Sequence, residues 1–206
     1  RHGQGAGTDA GSGGAPPEPV QVALSPAGVL RISNAGPAVP PEQLFEVDRH
    51  ALSHAAALQA DILAHYEVYE FHPVVAKLQH FCSEFLGGFY LDVLKDRLYT
   101  TQVDSRARRS AQTALHQITH AMLRWMAPFL SFTTEEAWAI IGSSDSIFIE
   151  EYCQLPAPDA ALDAKWERLL EIRAAALKEI EAVREQGQVG ASLQAELTVT
   201  AAADDL

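Results

Sequence analysis

Five of the 15 lysines and arginines in this chain, Lys95, Arg97, Arg106, Arg108 and Arg109, lie between positions 95 and 109, where only Asp96 and Asp104 oppose them. That is a local +3 in a molecule whose formal net charge is −12. Guanidinium and ammonium groups gathered at one place are what a chain of phosphates recognises, and Tyr99 among them offers a ring on which a base can stack. The same residues admit a second reading, a salt-bridge network with Asp92, Asp96 and Asp104 that fixes a loop. Residue types alone leave the two open.

Other reactive types give weaker signals. His50/His54 and His116/His120 have the i,i+4 spacing that puts two imidazoles on one helix face, but neither pair carries the glutamate of H-E-x-x-H. A metal site would need the two pairs to meet, and polar-face histidines are the simpler expectation. Cys82 falls on an apolar stripe and is expected as a small core residue, whereas Cys153 has acidic Glu150 and Glu151 nearby, which disfavour a thiolate. Two cysteines make neither a disulfide framework nor a four-thiolate zinc site. Gly11-Ser12-Gly13-Gly14 lacks the strand before it and the lysine after it that a phosphate loop requires. No acid, base and oxyanion donor assemble, so no catalytic residue is assigned.

The elements that must position the basic cluster follow from periodicity. Leu44, Val47, Ala51, Ala55, Leu58, Ile62 and Tyr66 recur at helical spacing, and Val75, Leu78, Cys82, Phe85 and Phe89 mark a second helix after Pro73. Gly87-Gly88 in that helix suggests a close helix–helix approach. Ser105 is placed to cap a third helix with Ala111, Leu115, Ile118, Met122 and Trp125 on its apolar face, ended by Pro128. Thr133 and Glu136 read as a capping box for a fourth helix reaching Trp138 and Gly142. Leu169, Ile172, Ala176, Ile180 and Val183 mark a fifth, closed near Gly187, and residues 195–200 alternate like a strand. Single apolar stripes bury most readily against one another, so the fold class is mainly α: an antiparallel helical bundle, then a helix and the start of a small α/β unit.

Composition divides the chain at the same places. Residues 1–41 hold eight of the 13 glycines and seven of the 11 prolines and carry no net charge, which predicts a linker or tail with at most a short extended piece at Val29-Leu30-Arg31-Ile32. Residues 42–142, with eight basic and 12 acidic residues, are the bundle, and residues 143–206, with five basic and 13 acidic, follow it. No apolar stretch suits a membrane span and no signal peptide is present, so a cytoplasmic protein is expected. The chain begins at Arg1, which suggests a piece of something longer.

Several segments taken together resemble a known family. Tyr69-Glu70-Phe71-His72, Phe89-Tyr90-Leu91-Asp92-Val93-Leu94-Lys95-Asp96-Arg97-Leu98-Tyr99, Arg108-Arg109-Ser110-Ala111-Gln112-Thr113 and the run from Ala127 to Trp138 are similar to the anticodon-binding helical domain of bacterial-type isoleucyl-tRNA synthetases, class I enzymes. The likeness extends over about residues 42–200, through Trp166–Ile180 and Val189–Glu196. It implies recognition of the anticodon stem and loop of isoleucine tRNA, with Lys95, Arg97, Arg106, Arg108 and Arg109 on phosphates and Tyr99 stacking or anchoring the loop. It also implies a parent ATP-dependent ligase, whose ATP and magnesium belong to a catalytic domain that this sequence lacks, as it lacks the family's zinc-binding cysteines. The expected partners are the tRNA and the rest of the synthetase chain, with no membrane, and the expected state is a monomer. A helical protein-interaction module without RNA affinity is the competing class.

Overall fold

In the computed structural model the described residues are 21–24, 30–33, 38–142, 144–191, 194–198 and 200. Much of 1–41, including Gly11–Gly14, lies outside them. Gln21–Leu24 (β1) and Leu30–Ser33 (β2) pair antiparallel with Val22 opposite Ile32, so the predicted extended piece is a strand set one residue further along.

The bundle is built from α1 (Glu46–Glu67), a long second rod, and α4 (Arg106–Met126), joined by short turns and therefore antiparallel. The rod consists of α2 (Phe71–His80), a π-helical stretch at Phe81–Tyr90, and α3 (Leu91–Thr100). Ala51, Ala55 and Ile62 of α1 and Ala111, Ile118 and Trp125 of α4 are buried together, as their spacing predicted, joined by Ala114 and Ala121, while the expected Leu115 and Met122 are only partly buried. Trp125 donates from Nε1 to Gln59 Oε1 at 2.9 Å, and its carbonyl accepts from the Tyr66 hydroxyl, so the polar atoms of this buried residue are matched.

The π-helical turn changes the second stripe. A wider turn holds more residues, so each successive side chain advances less far round the axis, and Phe81, Phe85, Leu86, Phe89, Tyr90 and Leu94 face the core. Cys82 is thereby exposed, correcting its placement in the core. Gly87 and Gly88 are exposed as well and make no close helix–helix approach. A Cβ at Gly87 would stand 3.1 Å from the Cys82 carbonyl oxygen of its own turn.

Ser105 caps α4, its hydroxyl accepting from the Arg108 amide, and the helix stops before Pro128. The capping box expected of Thr133 and Glu136 does not form. Helix α5 (Ser131–Ile141) starts three residues earlier, with Leu130 at the cap position, Thr134 donates to the Leu130 carbonyl, and Glu135 accepts from the Ile147 amide. Pro128 sets this start, because the chain turns through 127–130 and can resume a helix at once. Gly142 then closes over Trp138, where a Cβ would lie 2.3 Å from the indole.

The chain returns along α1: Gln59 donates to the Cys153 carbonyl at 2.8 Å, and Ser53 accepts from the Asp159 amide at 2.7 Å. Asp159 caps α6 (Ala160–Glu185) by accepting from Leu162 N, and the helix ends at Gly187, whose φ of 72° suits glycine. The Gln188 and Gly187 amides bond to Val183 and Arg184 carbonyls, which completes the cap. Ile172, Ala176, Ile180 and Val183 are half-buried; Leu169 is exposed, and Trp166 and Leu170 meet the core instead. The strand expected at 195–200 is not formed at the described residues 195–198 and 200.

Two expectations follow. Gly142→Ala forces a methyl into a buried indole and should lower stability by about 1–3 kcal/mol in urea unfolding. Burial, with His116 and Arg124 nearby, holds the His120 imidazole down at about 4. Below its unfolded value near 6.5 the unfolded chain therefore binds the extra proton. Stability is complete above that pH and falls as pH drops toward 4; between pH 7 and 5 the loss should be on the order of 1–2 kcal/mol, and smaller in His120→Asn.

Candidate nucleic-acid interface

The basic cluster sits where α3 ends and α4 begins, and its geometry starts from a residue outside the cluster. Asp48, in the first turn of α1, is fully buried. Arg97 reaches it with two parallel bonds, Nη1 to Oδ2 at 2.9 Å and Nη2 to Oδ1 at 2.6 Å. The Tyr90 hydroxyl donates to Oδ1 at 2.8 Å and the Ser110 hydroxyl donates to Oδ2. Ser110 in turn accepts from the Phe45 amide at 2.8 Å. One carboxylate thus joins α1, the π-helical turn, α3 and α4. Burial and the Asp48 carboxylate push the Tyr90 phenol far above its ordinary range, so it remains a donor.

This arrangement sorts the five cations. Arg97 points inward, and both its η nitrogens are committed to Asp48. Arg106 is exposed; its Nε donates to the Gln43 carbonyl at 2.6 Å, and its guanidinium lies 5.2 Å from the Phe45 ring centroid, with Arg97 at 5.3 Å from the same ring. Phe45 therefore brings the last turn of α3 and the first turn of α4 to one point. Arg108 is half-buried and donates to the Thr101 carbonyl at 3.3 Å, while Arg109 reaches Gln112 Oε1 at 3.2 Å. Lys95 is exposed and pairs with Asp92 at 2.7 Å, a contact that raises the lysine and holds the Asp92 carboxyl below its usual range.

The loop between the helices is tied to itself. Thr101 donates to the Arg97 carbonyl, and Ser105 donates to the Gln102 carbonyl at 2.8 Å. Tyr99, 84% exposed, stands on α3 one turn beyond Lys95, and Val103 is exposed beside it. The first turn of α4 holds three arginines and no acid, so its free amides and the side chains present the same sign to solvent. Of the acidic partners considered from sequence, Asp92 takes Lys95 and lies 3.8 Å from Arg173 of α6, and Asp96 adds its field to Lys95. Arg97 is held instead by Asp48, and Arg106 and Arg108 bond to carbonyls. Asp48, Tyr90 and Ser110 lie 42 and 62 residues apart, and no spacing signal links them.

The histidine pairs stay in separate surroundings. His50 is buried against Trp166, and the His54 ring lies flat on Phe85 at 4.4 Å. His116 and His120 stack at 4.1 Å beside Trp138. Three of the four rings thus pack on aromatic neighbours, while His54 and His116 are exposed, as expected of a polar face, and among the described residues no three His, Cys, Asp or Glu side chains could hold a metal ion. At Cys153 the thiolate is disfavoured as expected: burial, with Glu150, pushes the thiol up, although Arg124 approaches its sulfur at 3.2 Å.

Comparison with known proteins gives one family match, to the anticodon-binding domain of tRNA ligase, over residues 48–199. The chain is 58% identical over 171 residues to an isoleucine–tRNA ligase of Cupriavidus necator, covering 80% of this chain and 18% of that protein. Isoleucine–tRNA ligases of Ralstonia pickettii, 58% identical over 170 residues, and Burkholderia ambifaria, 57% identical over 167, have the same coverage of each chain. The chain therefore spans about a fifth of the length of these relatives.

Removing the shared carboxylate leaves Arg97 buried and unpaired. Asp48→Ala should cost about 3–5 kcal/mol in denaturant unfolding, whereas Lys95→Ala, which breaks an exposed pair, should change stability by less than about 1 kcal/mol.

Proposed function

This chain belongs to the family of anticodon-binding domains of tRNA ligases, and from that premise we infer that it binds the anticodon stem and loop of isoleucine tRNA through the α3–α4 junction. The observation that carries this reading is the placement of Lys95 and an exposed Tyr99 on α3, and of Arg106, Arg108 and Arg109 in the first turn of α4, on either side of a junction that Arg97 ties to Asp48. Cations at the first turn of α4 raise the energy of the free state, because the helix dipole opposes them. An anion placed there relieves that repulsion and meets amides and guanidinium groups together.

The roles divide by depth. Lys95 and Arg106 are exposed and make the outer phosphate contacts; Lys95 gives up Asp92 to do so. Arg108 and Arg109 lie deeper and meet the backbone where it crosses the loop. Tyr99 takes an unstacked base, a contact open to any base and hence a source of affinity more than of sequence choice. Arg97 acts from inside, holding the end of α3 in register with α4. The isoleucine assignment rests on the identity to isoleucine–tRNA ligases, and the ATP- and magnesium-dependent chemistry is assigned to parts of the parent enzyme beyond these residues. In that enzyme, binding energy gained here helps place the acceptor end at a remote catalytic site. The acidic third segment, with its 13 carboxylates, repels phosphate and confines RNA to the basic junction.

The test is a salt titration of binding to an isolated isoleucine anticodon stem–loop. Lys95→Ala and Arg106→Ala should each weaken binding and lower the slope of log affinity against log salt by about 1. Tyr99→Ala should cost about 1–3 kcal/mol with little change in slope. Unchanged affinity and slope in the Lys95/Arg106 pair would remove the clamp, and absence of salt-dependent binding to any stem–loop would favour a protein-interaction module.

A further inference from the structure

Asp92, in the first turn of α3, faces cations from two different elements. Its Oδ1 accepts from Lys95 Nζ at 2.7 Å, and its Oδ2 lies 3.8 Å from Arg173 Nη2 of α6. The first contact is a hydrogen bond; the second is an ion pair, about 1 Å too long for one. Lys95, by its bond and its charge, does most to hold the Asp92 carboxyl below its usual range, and Arg173 adds a smaller pull.

The neighbours of Arg173 keep it beside this carboxylate. Its guanidinium lies 5.8 Å from the Phe89 ring centroid, and the same ring meets Trp166 of α6 at 5.8 Å. Nearer its start, α6 is moored to α1: Asp163 bonds to His50 and Ser53, and Lys165 pairs with Glu46. Among the described residues, Arg173 is the last of α6 to make an ion pair or ring contact with another element. Asp92 thus links the outer cation of the basic junction to the far end of the α6 attachment.

A phosphate that draws Lys95 away leaves the Asp92 carboxylate bare beside it, and the two anions repel. Arg173 is the cation placed to take over. Its side chain is 36% exposed and needs to move by only about 1 Å to bond the free carboxylate. We propose that Asp92 is a shared switch: when RNA takes Lys95, the carboxylate passes to Arg173, so an occupied junction fastens α6 to α3. By reciprocity, a fastened α6 strengthens RNA binding. Arg173 and Asp92 are therefore positioning residues, acting through Lys95 and touching no RNA. The switch rests on the reading of the junction as an RNA site. Both partners are partly exposed, so the coupling is about two- to fourfold in affinity.

The experiment measures binding of the full chain to the isolated isoleucine anticodon stem–loop, in the unaltered protein, Asp92→Asn, Arg173→Gln and the double variant. Asp92→Asn releases Lys95 and should tighten binding about two- to fourfold, and Arg173→Gln should weaken it by a similar factor. With Asp92→Asn already present, Arg173→Gln should change affinity by less than about 1.5-fold, because its route through the carboxylate is gone. Arg173→Gln should leave the salt slope unchanged, whereas Lys95→Ala lowers it by about 1. The Arg173 Nε–H resonance should shift saturably with RNA, by less than the junction residues do, and stay still in Asp92→Asn.

The switch is overturned if the two substitutions act additively, if Asp92→Asn weakens binding, or if Arg173→Gln lowers the slope as a direct phosphate contact would. A weakened Lys95→Ala beside an additive cycle removes the switch and leaves the RNA reading standing. Absence of salt-dependent binding by the unaltered chain removes both. The Asp92 side chain is 52% exposed, so these surface substitutions leave the bundle folded, as circular dichroism should show.

Discussion

A single buried carboxylate organises this domain. Asp48 accepts four hydrogen bonds from three side chains, those of Tyr90, Arg97 and Ser110, which come from the π-helical turn, α3 and α4. Such a group contributes little net stability against a well-packed apolar alternative, because both charges must leave water. Its value is in register. Hydrophobic stripes permit α3 and α4 to slide or rotate with modest loss, but a two-pronged Arg–carboxylate bond tolerates neither. The end of α3 and the start of α4 are therefore fixed relative to α1, and with them the loop whose surface carries Tyr99.

That constraint reconciles an acidic protein with an RNA-binding role. The charge of −12 averages over regions that differ in kind, and within the +3 cluster Arg97 is held by the buried Asp48 while Lys95 pairs with the exposed Asp92. Arg97 illustrates the division of labour. It belongs to the cluster by sequence, yet its charge is spent on Asp48 and Phe45 while its neighbours face outward. The π-helical turn serves the same end, bringing Tyr90 to the core face beneath Asp48.

What could be read from the sequence follows the range of the interactions. Local signals were legible: the stripe of α1, the Ser105 cap, the stop at Pro128 and the glycine closing α6 all depend on residues within a turn or two of one another. The basic cluster was legible for the same reason. The π-helical turn was not, since a change from 3.6 residues per turn moves Cys82 outward without leaving a mark in residue type. The Thr133 capping box met the usual pattern but lost to the helix starting at Ser131, directly after the turn that Pro128 imposes. Asp48, Ser110 and Tyr90 lay beyond any spacing rule, because only the folded bundle brings them together. The sequence reading could therefore place the cations but could not distinguish the one that supports the site from those that form its surface.

The most direct test of this account is a map of backbone and side-chain resonance changes as the isoleucine anticodon stem–loop is added. The account predicts the largest changes at Lys95, Tyr99, Val103, Arg106, Arg108 and Arg109, with the Arg97 guanidinium and the acidic face of α6 nearly unmoved. Changes concentrated on α6, or on Arg97 as it leaves Asp48, would contradict it.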